Sequence, residues 1–216
     1  MLSVPVALGR ARELAALPGR RVLGIAGAPG AGKSTVAAQV VAAVVGAVLV
    51  PMDGFHLAQV VLDEAGLADR KGAPETFDRD GYVALLERIR AQPPGGAPIY
   101  APVFRREIEE PIAGAIAVPG DCPLVVTEGN YLLHWPMVRA LLDEVWWVEV
   151  GDELRVQRLV RRHVAFGKGP DEARAWVARS DEANARLVAL GRARADVVVR
   201  PDSTGPRSAG SRVASS

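Results

Sequence analysis

One octapeptide constrains the fold of this chain more than any other stretch. Gly27-Ala28-Pro29-Gly30-Ala31-Gly32-Lys33-Ser34 satisfies the phosphate-loop pattern G-x-x-x-x-G-K-[ST] at every fixed position. Its flanks agree with it. Arg21–Ala26 is a short apolar run that reads as a buried strand, and Thr35–Val44 is an alanine-rich run that reads as a helix. Glycines let such a loop curl so that its backbone N–H groups converge on phosphate oxygens, and the following helix adds its positive dipole end. The plain alternative is a glycine turn that binds nothing. Against it stand the flanks and the lysine: of 26 Lys+Arg in the chain, only Lys33, Lys71 and Lys168 are lysines. The octapeptide with Thr35 is therefore the expected nucleoside-triphosphate site. Lys33 would reach the β- and γ-phosphates, and the Ser34 hydroxyl would sit on Mg²⁺.

Two further strand ends carry acids. Ala47–Met52 runs into Asp53-Gly54-Phe55-His56, and Leu124–Thr127 runs into Glu128-Gly129-Asn130. Ligands of open parallel sheets bind beyond the carboxyl ends of strands. Asp53 is thus a candidate general base for an attacking hydroxyl, although spacing alone does not separate that role from an Asp-Gly turn. Glu128 completes a Walker-B-like pattern, with Glu where Asp is usual, and would orient Mg²⁺. Residues 152–166 place Arg158, Arg161 and Arg162 on one helix face. That face is either a solvated surface or an arginine clamp over transferring phosphates, with Gly167-Lys168-Gly169-Pro170 as its hinge. Arg70–Asp78 is either a solvated loop or a substrate lid, and Asp78 suits a helix cap.

Five strand candidates (21–26, 47–52, 124–130, 145–150, 195–199) alternate with helices at 3–17, 57–66, 80–91, 135–142, 152–166 and 171–190. The expectation is an α/β fold of the P-loop NTPase type, a parallel five-stranded sheet sandwiched by helices. Ile99–Phe104 and Ala115–Val118 would pair as a small β flap beside a helical lid. Residues 1–200 read as a single domain and 201–216, rich in Ser, Gly, Pro and Arg, as a disordered tail. A net charge of +1 implies no nucleic-acid partner. One cysteine, Cys122, excludes an internal disulfide framework and reads as a buried or rim thiol. No run reaches the roughly 18 apolar residues of a membrane span, and no secretory signal opens the chain, so a cytoplasmic protein is expected.

Together, the phosphate loop, Pro51–His56, Arg70–Asp78, Tyr100–Phe104 and Thr127–Tyr131 resemble the phosphoribulokinase/uridine kinase family, in its pantothenate-kinase-like and fructose-transport-kinase-like branches, over residues 20–200. The resemblance implies Mg²⁺-dependent transfer of the γ-phosphoryl group of ATP to a hydroxyl of a small metabolite: a nucleoside, a pantothenate-like compound or a sugar. It assigns Asp53 as base, with Lys33, Arg158 and Arg162 as the catalytic cations. It places Glu128 near metal and phosphates. Asp53, Phe55, His56, Arg70, Lys71, Tyr100, Arg105, Arg106 and Asn130 are the implied acceptor-binding residues. Relatives often carry an acid where this chain has Arg105, and two adjacent arginines favour a carboxylate- or phosphate-bearing acceptor. Relatives are often dimers, so a homodimer is possible, though no segment marks an interface. A GTPase switch is disfavoured because no Asn-Lys-x-Asp segment occurs. A non-catalytic nucleotide-binding regulator is the remaining alternative.

Overall fold

The computed structural model describes residues 1–201; the expected tail, apart from Pro201, lies outside the described residues. In chain order the elements are β1 (Leu2–Ser3), α1 (Val4–Ala15), β2 (Arg21–Ala26), α2 (Lys33–Ala43), β3 (Val48–Leu49), α3 (Gln59–Glu64), α4 (Arg79–Ala91), β4 (Ile99–Arg105), β5 (Glu110–Val118), β6 (Leu124–Gly129), α5 (Pro136–Ala140), β7 (Glu144–Val148), α6 (Asp152–Ala165), α7 (Pro170–Trp176), α8 (Glu182–Ala189) and β8 (Val197–Arg200). Short 3₁₀ turns lie between some of them, including Met52–Phe55 directly after β3.

The main sheet is parallel, in the order β1-β8-β7-β2-β6-β3. It has six strands where five were expected. The sixth is the dipeptide Leu2–Ser3, which pairs with Val199 and Arg200 before Ser3 gives way to α1. A two-residue strand carries no alternation that a sequence can show. β2, β6 and β7 are apolar almost throughout because both of their faces are covered. One face packs against α4, α5 and the β4–β5 flap through Tyr82, Leu86, Ile89 and Val138; the other packs against α1 and α2 through Ala7, Ala11, Val36 and Val40. Trp146 and Trp147 are both core residues, and the Cys122 thiol is buried against the Leu124 carbonyl at 3.2 Å.

β4 and β5 form a separate antiparallel hairpin. It rests on the Met52–Phe55 turn at Gly54, where a Cβ would lie 2.5 Å from the Pro102 carbonyl oxygen. Asp78 caps α4, accepting from Gly81 N at 2.8 Å. The expected single helix over 171–190 is interrupted. It begins at Pro170, and Val177–Asp181 is a π-helical segment between α7 and α8. Helical periodicity is preserved on either side, so the extra residue has no signature in the pattern.

The strand order positions the site. β6 lies between β2 and β3, so Glu128, at the end of β6, has the phosphate loop on one side and Asp53 on the other. Two contacts draw the third strand end in. Thr127 donates its hydroxyl to the Val50 carbonyl at 2.7 Å and accepts from Tyr82 at 2.6 Å, while Gly129 leaves room for Met52, whose Cβ would lie 2.6 Å from an added methyl.

Candidate active site

The phosphate loop takes its shape from backbone angles open to glycine. Gly27, Gly30 and Gly32 have φ of 154°, 79° and 96°. Gly30 also has no room for a side chain, since a Cβ would meet the Arg155 carbonyl oxygen at 2.7 Å. Helix α6 therefore lies directly on the loop. Arg155, 3% exposed, binds Glu182 at 2.6 Å and Asp152 at 3.2 Å and donates to the Pro29 carbonyl at 3.4 Å, tying loop, α6 and α8 together.

From the loop, Lys33 extends into a cleft of about 390 Å³ and donates to Asn130 Oδ1 at 2.7 Å and the Ala28 carbonyl at 3.2 Å. Burial pushes its ammonium down to about 8, against the pull of Glu128 and Asp53. Ser34 donates its hydroxyl to Glu128 Oε1 at 2.9 Å. Burial, and next the nearby Asp53 charge, push the Glu128 carboxyl up, opposed by Lys33 and Ser34. A hydroxyl and a carboxylate side by side are hard oxygen donors, the set that Mg²⁺ takes together with phosphate oxygens and water. The residues present fit such an ion.

Asp53 faces the same cleft. Its Oδ2 accepts from Arg106 Nη2 at 3.1 Å, and its carbonyl oxygen lies 2.7 Å from His56 Nδ1. A carbonyl only accepts, so Nδ1 carries the proton. His56 is packed between the tilted rings of Phe77 and Phe104, with ring centroids at 4.0 and 4.5 Å, and burial lowers its pKa below the ordinary value. Asn130, Lys71, Arg106 and Arg162 line the cleft as well. Burial, then the neighbouring Arg106 charge, lower the Arg162 pKa; its nearest carboxylate oxygen, on Asp181, is 3.9 Å away.

Other expected site residues lie elsewhere. Phe55 packs on Tyr82 at 5.0 Å, within the core. Arg70 pairs with Glu75 outside the cleft, Tyr100 is 59% exposed on the flap, and Arg105 points outward beside the inward Arg106. The expected arginine face divides. Arg161 is exposed, Arg158 approaches the Ala31 carbonyl at 3.5 Å, and only Arg162 of the three reaches the cleft. Ala28 and Ala31 line a second cleft, of about 840 Å³, on the far flank of the loop with Val150, Leu154 and Pro201.

The cleft also contains residues that the sequence did not single out. The π segment turns Ser180 and Asp181 inward, and Asp181 Oδ2 lies 2.8 Å from His163 Nε2. Asn184 donates to the Gly72 carbonyl at 3.4 Å, joining the lid helices to the 70–78 loop. Gln59 and Phe104 complete the wall beside Lys71. Gln59 and Asp181 sit in ordinary helical sequence, and no motif marks them.

The model of the Phosphoribulokinase / Uridine kinase family matches residues 22–204. The YggC protein of Escherichia coli is 32% identical over 190 residues, covering 83% of this chain and 77% of that one. An ATP-dependent kinase-like protein of Aspergillus versicolor is 37% identical over 133 residues, covering 57% of this chain and 77% of that one. A crystal structure from Silicibacter sp., provisionally described as a fructose transport system kinase, superposes with a TM-score of 0.82 at 36% identity, covering 92% of this chain and 99% of that one.

Proposed function

The chain belongs to the phosphoribulokinase/uridine kinase family, and on that premise we propose that it transfers the γ-phosphoryl group of ATP to a hydroxyl of a small metabolite, with Mg²⁺. The family and its P-loop kinase neighbours make the chain a kinase, a phosphotransferase; the acceptor, the ion and the residue roles are this reading's own. One observation carries it: Lys33, the Ser34–Glu128 pair and Asp53 all face one cleft, on the ends of three adjacent strands.

In this reading the γ-phosphate lies between the loop and Asp53. The acceptor hydroxyl gives its proton to Asp53 as its oxygen bonds to the γ-phosphorus, and the bond from that phosphorus to the β–γ bridging oxygen breaks, leaving ADP. Lys33 and Arg162 face the charge that spreads over the transferring oxygens, with Arg158 at the loop behind them. Such positioning and charge stabilisation supply nearly all of phosphoryl-transfer catalysis. Mg²⁺, held by Ser34 and oriented by Glu128, would neutralise the β- and γ-oxygens. The second cleft, on the flank of the loop away from Asp53, suits the adenine ring, since the loop residues Ala28 and Ala31 form part of its wall with Val150 and Leu154. His56 and Asn130 fix Asp53 and Lys33, and Phe55 supports that segment from the core. Among the described residues no helix is long and apolar enough to cross a bilayer.

The test is ATP consumption over a panel of hydroxylated metabolites, followed by the mass of the product. A product heavier by one phosphoryl group supports the reading. Tight ATP binding with no product from any acceptor overturns it in favour of a non-catalytic nucleotide-binding regulator.

A further inference from the structure

Lys71 is held in an unusual way for a cation that lines a cleft. Its side chain is 14% exposed, yet both of its hydrogen bonds go to neutral oxygens: Gln59 Oε1 at 3.0 Å and the Glu109 carbonyl at 2.7 Å. Its nearest carboxylate oxygen, on the half-exposed Glu109 side chain, is 3.7 Å away, beyond a hydrogen bond. The other acids nearby are already engaged. Glu110 accepts from the Gln59 backbone N–H at 3.1 Å, and Asp63 accepts from the Gln59 side-chain amide at 2.9 Å. That second bond orients Gln59 so that its oxygen, not its NH₂, meets the ammonium. An ammonium carries three donors, and among the described residues the third makes no hydrogen bond in the cleft wall, where it has only the Glu109 carboxylate at 3.7 Å and the Phe104 ring nearby. The long ion pair to the half-exposed Glu109 and the Phe104 ring, 5.6 Å from the ammonium, offset its loss of water only in part, and a ligand anion in hydrogen-bond contact would supply the rest.

Arg106 supplies a second cation on the same wall. It sits just beyond β4 at the tip of the flap, which Lys71 holds down through the Glu109 carbonyl. Its guanidinium rests on Asp53 Oδ2, an oxygen of the carboxylate that the attacking hydroxyl needs. A carboxylate has two oxygens, so the attacking hydroxyl can meet Oδ1 while Arg106 stays on Oδ2, and an anion on the acceptor beside that hydroxyl meets the guanidinium where it stands. Arg162 faces them across the cleft with no carboxylate in hydrogen-bond contact. The nucleotide side has its own lysine, Lys33, so Lys71 is not needed there.

We propose that Lys71 and Arg106 bind a carboxylate or phosphate of the acceptor next to the hydroxyl that Asp53 activates, so that the acceptor is a small hydroxylated anion. Because Arg106 lies 3.1 Å from Asp53, the anion and the reacting hydroxyl are within a few bonds of each other. Arg105, one residue away, takes no part. This assignment rests on the kinase reading above.

The experiment uses matched pairs in the ATP-consumption assay with the full chain: D-glycerate against glycerol, and ribose 5-phosphate against ribose. The anionic member of at least one pair is expected to be phosphorylated, with its neutral partner at least about tenfold poorer in kcat/KM. The carboxylate and phosphate pairs separate the two sources of charge. For the active anion, Lys71→Met and Arg106→Met are each expected to raise KM by about a hundredfold, and Arg106→Lys to recover part of the loss. Damage to the flap alone would raise KM for the neutral and the anionic member alike, so the ratio within a pair reports charge reading. Neutral members turned over as well as their anions, or an unchanged ratio in both Met variants, overturn the assignment while leaving the kinase intact. No product from any pair, with product from a neutral acceptor of the wider panel, overturns this assignment alone; no product from any acceptor, with ATP bound, overturns the kinase reading and this one with it.

Discussion

The phosphate-loop wall of the cleft is one contiguous octapeptide, Gly27–Ser34, whereas the wall facing it gathers Asp53, Lys71, Arg106 and Asn184 from four separate segments. The first wall is made largely of backbone. Its φ angles and the lack of space at Gly30 leave it little freedom, and its lysine is buried against fixed oxygens. The second is made of side chains on a flap, a loop and a lid that meet largely through side-chain contacts, such as Lys71 on Glu109 and Asn184 on Gly72. A triphosphate is a constant ligand and suits a preformed cradle. An acceptor differs among relatives, and a wall of separable parts can change one part without disturbing the cradle.

If the walls are separable, lesions in them have separate readouts. The largest effect is expected for Asp53→Asn, with kcat lower by about 10²- to 10⁴-fold and ATP affinity, measured by direct titration, unchanged. Loss of ATP binding in that variant would break the division. Glu128→Gln reaches the seam between the walls. It is expected to raise the Mg²⁺ concentration for half-maximal turnover by about 10- to 100-fold, and chelation should abolish turnover in the parent protein.

A mirrored pair of glycine substitutions sharpens the contrast. Gly30→Ala puts a methyl 2.7 Å from the Arg155 carbonyl at a φ of 79°, and Gly54→Ala puts one 2.5 Å from the Pro102 carbonyl. Each is expected to cost about 1–3 kcal/mol in denaturant unfolding. Gly30→Ala should raise the Kd for ATP, and Gly54→Ala the KM for the acceptor alone.

The smallest effect concerns His56. Burial lowers its pKa below 6.5 in the folded protein, so between pH 6.5 and that lower value the unfolded chain binds the extra proton. Stability is therefore lost as pH falls through this window, by at most about 1.4 kcal/mol per pH unit. His56→Gln should lose less stability than the parent between about pH 7 and about pH 5. His134, also lowered by burial, is common to both proteins and cancels in the comparison. Equal losses would mean that burial between the two phenylalanines does not hold His56 neutral.

The same contrast governs what could be read before the fold was known. The loop is legible because its chemistry is local, glycines and a lysine within eight residues. Glu128 is legible because it ends an apolar run. That Asp53 would face Glu128 was not, since it depends on β6 entering between β2 and β3, a pairing across some 75 residues of chain. Arg105 and Arg106 are the same residue type in the same polar run, and only the pairing of β4 with β5 turns one outward and the other toward Asp53. Lys71 looked like one charge among several in a mixed loop. Its neutral partners, Gln59 and the Glu109 carbonyl, come from segments 12 and 38 residues away. His163 and Asp181, 18 residues apart, meet only because the lid folds back on itself.

The π segment at Val177–Asp181 makes the lid sensitive to residue number as well as residue type. Each residue of an α-helix advances the chain by about 100°. Deleting one residue here would restore a regular helix and rotate everything beyond it by about that angle relative to α7. Glu182 would leave Arg155, and Asn184 would leave the Gly72 carbonyl, with no side chain in the site replaced. Insertions and deletions at this point offer lineages of this fold a route to new acceptors that a comparison of substitutions would not register.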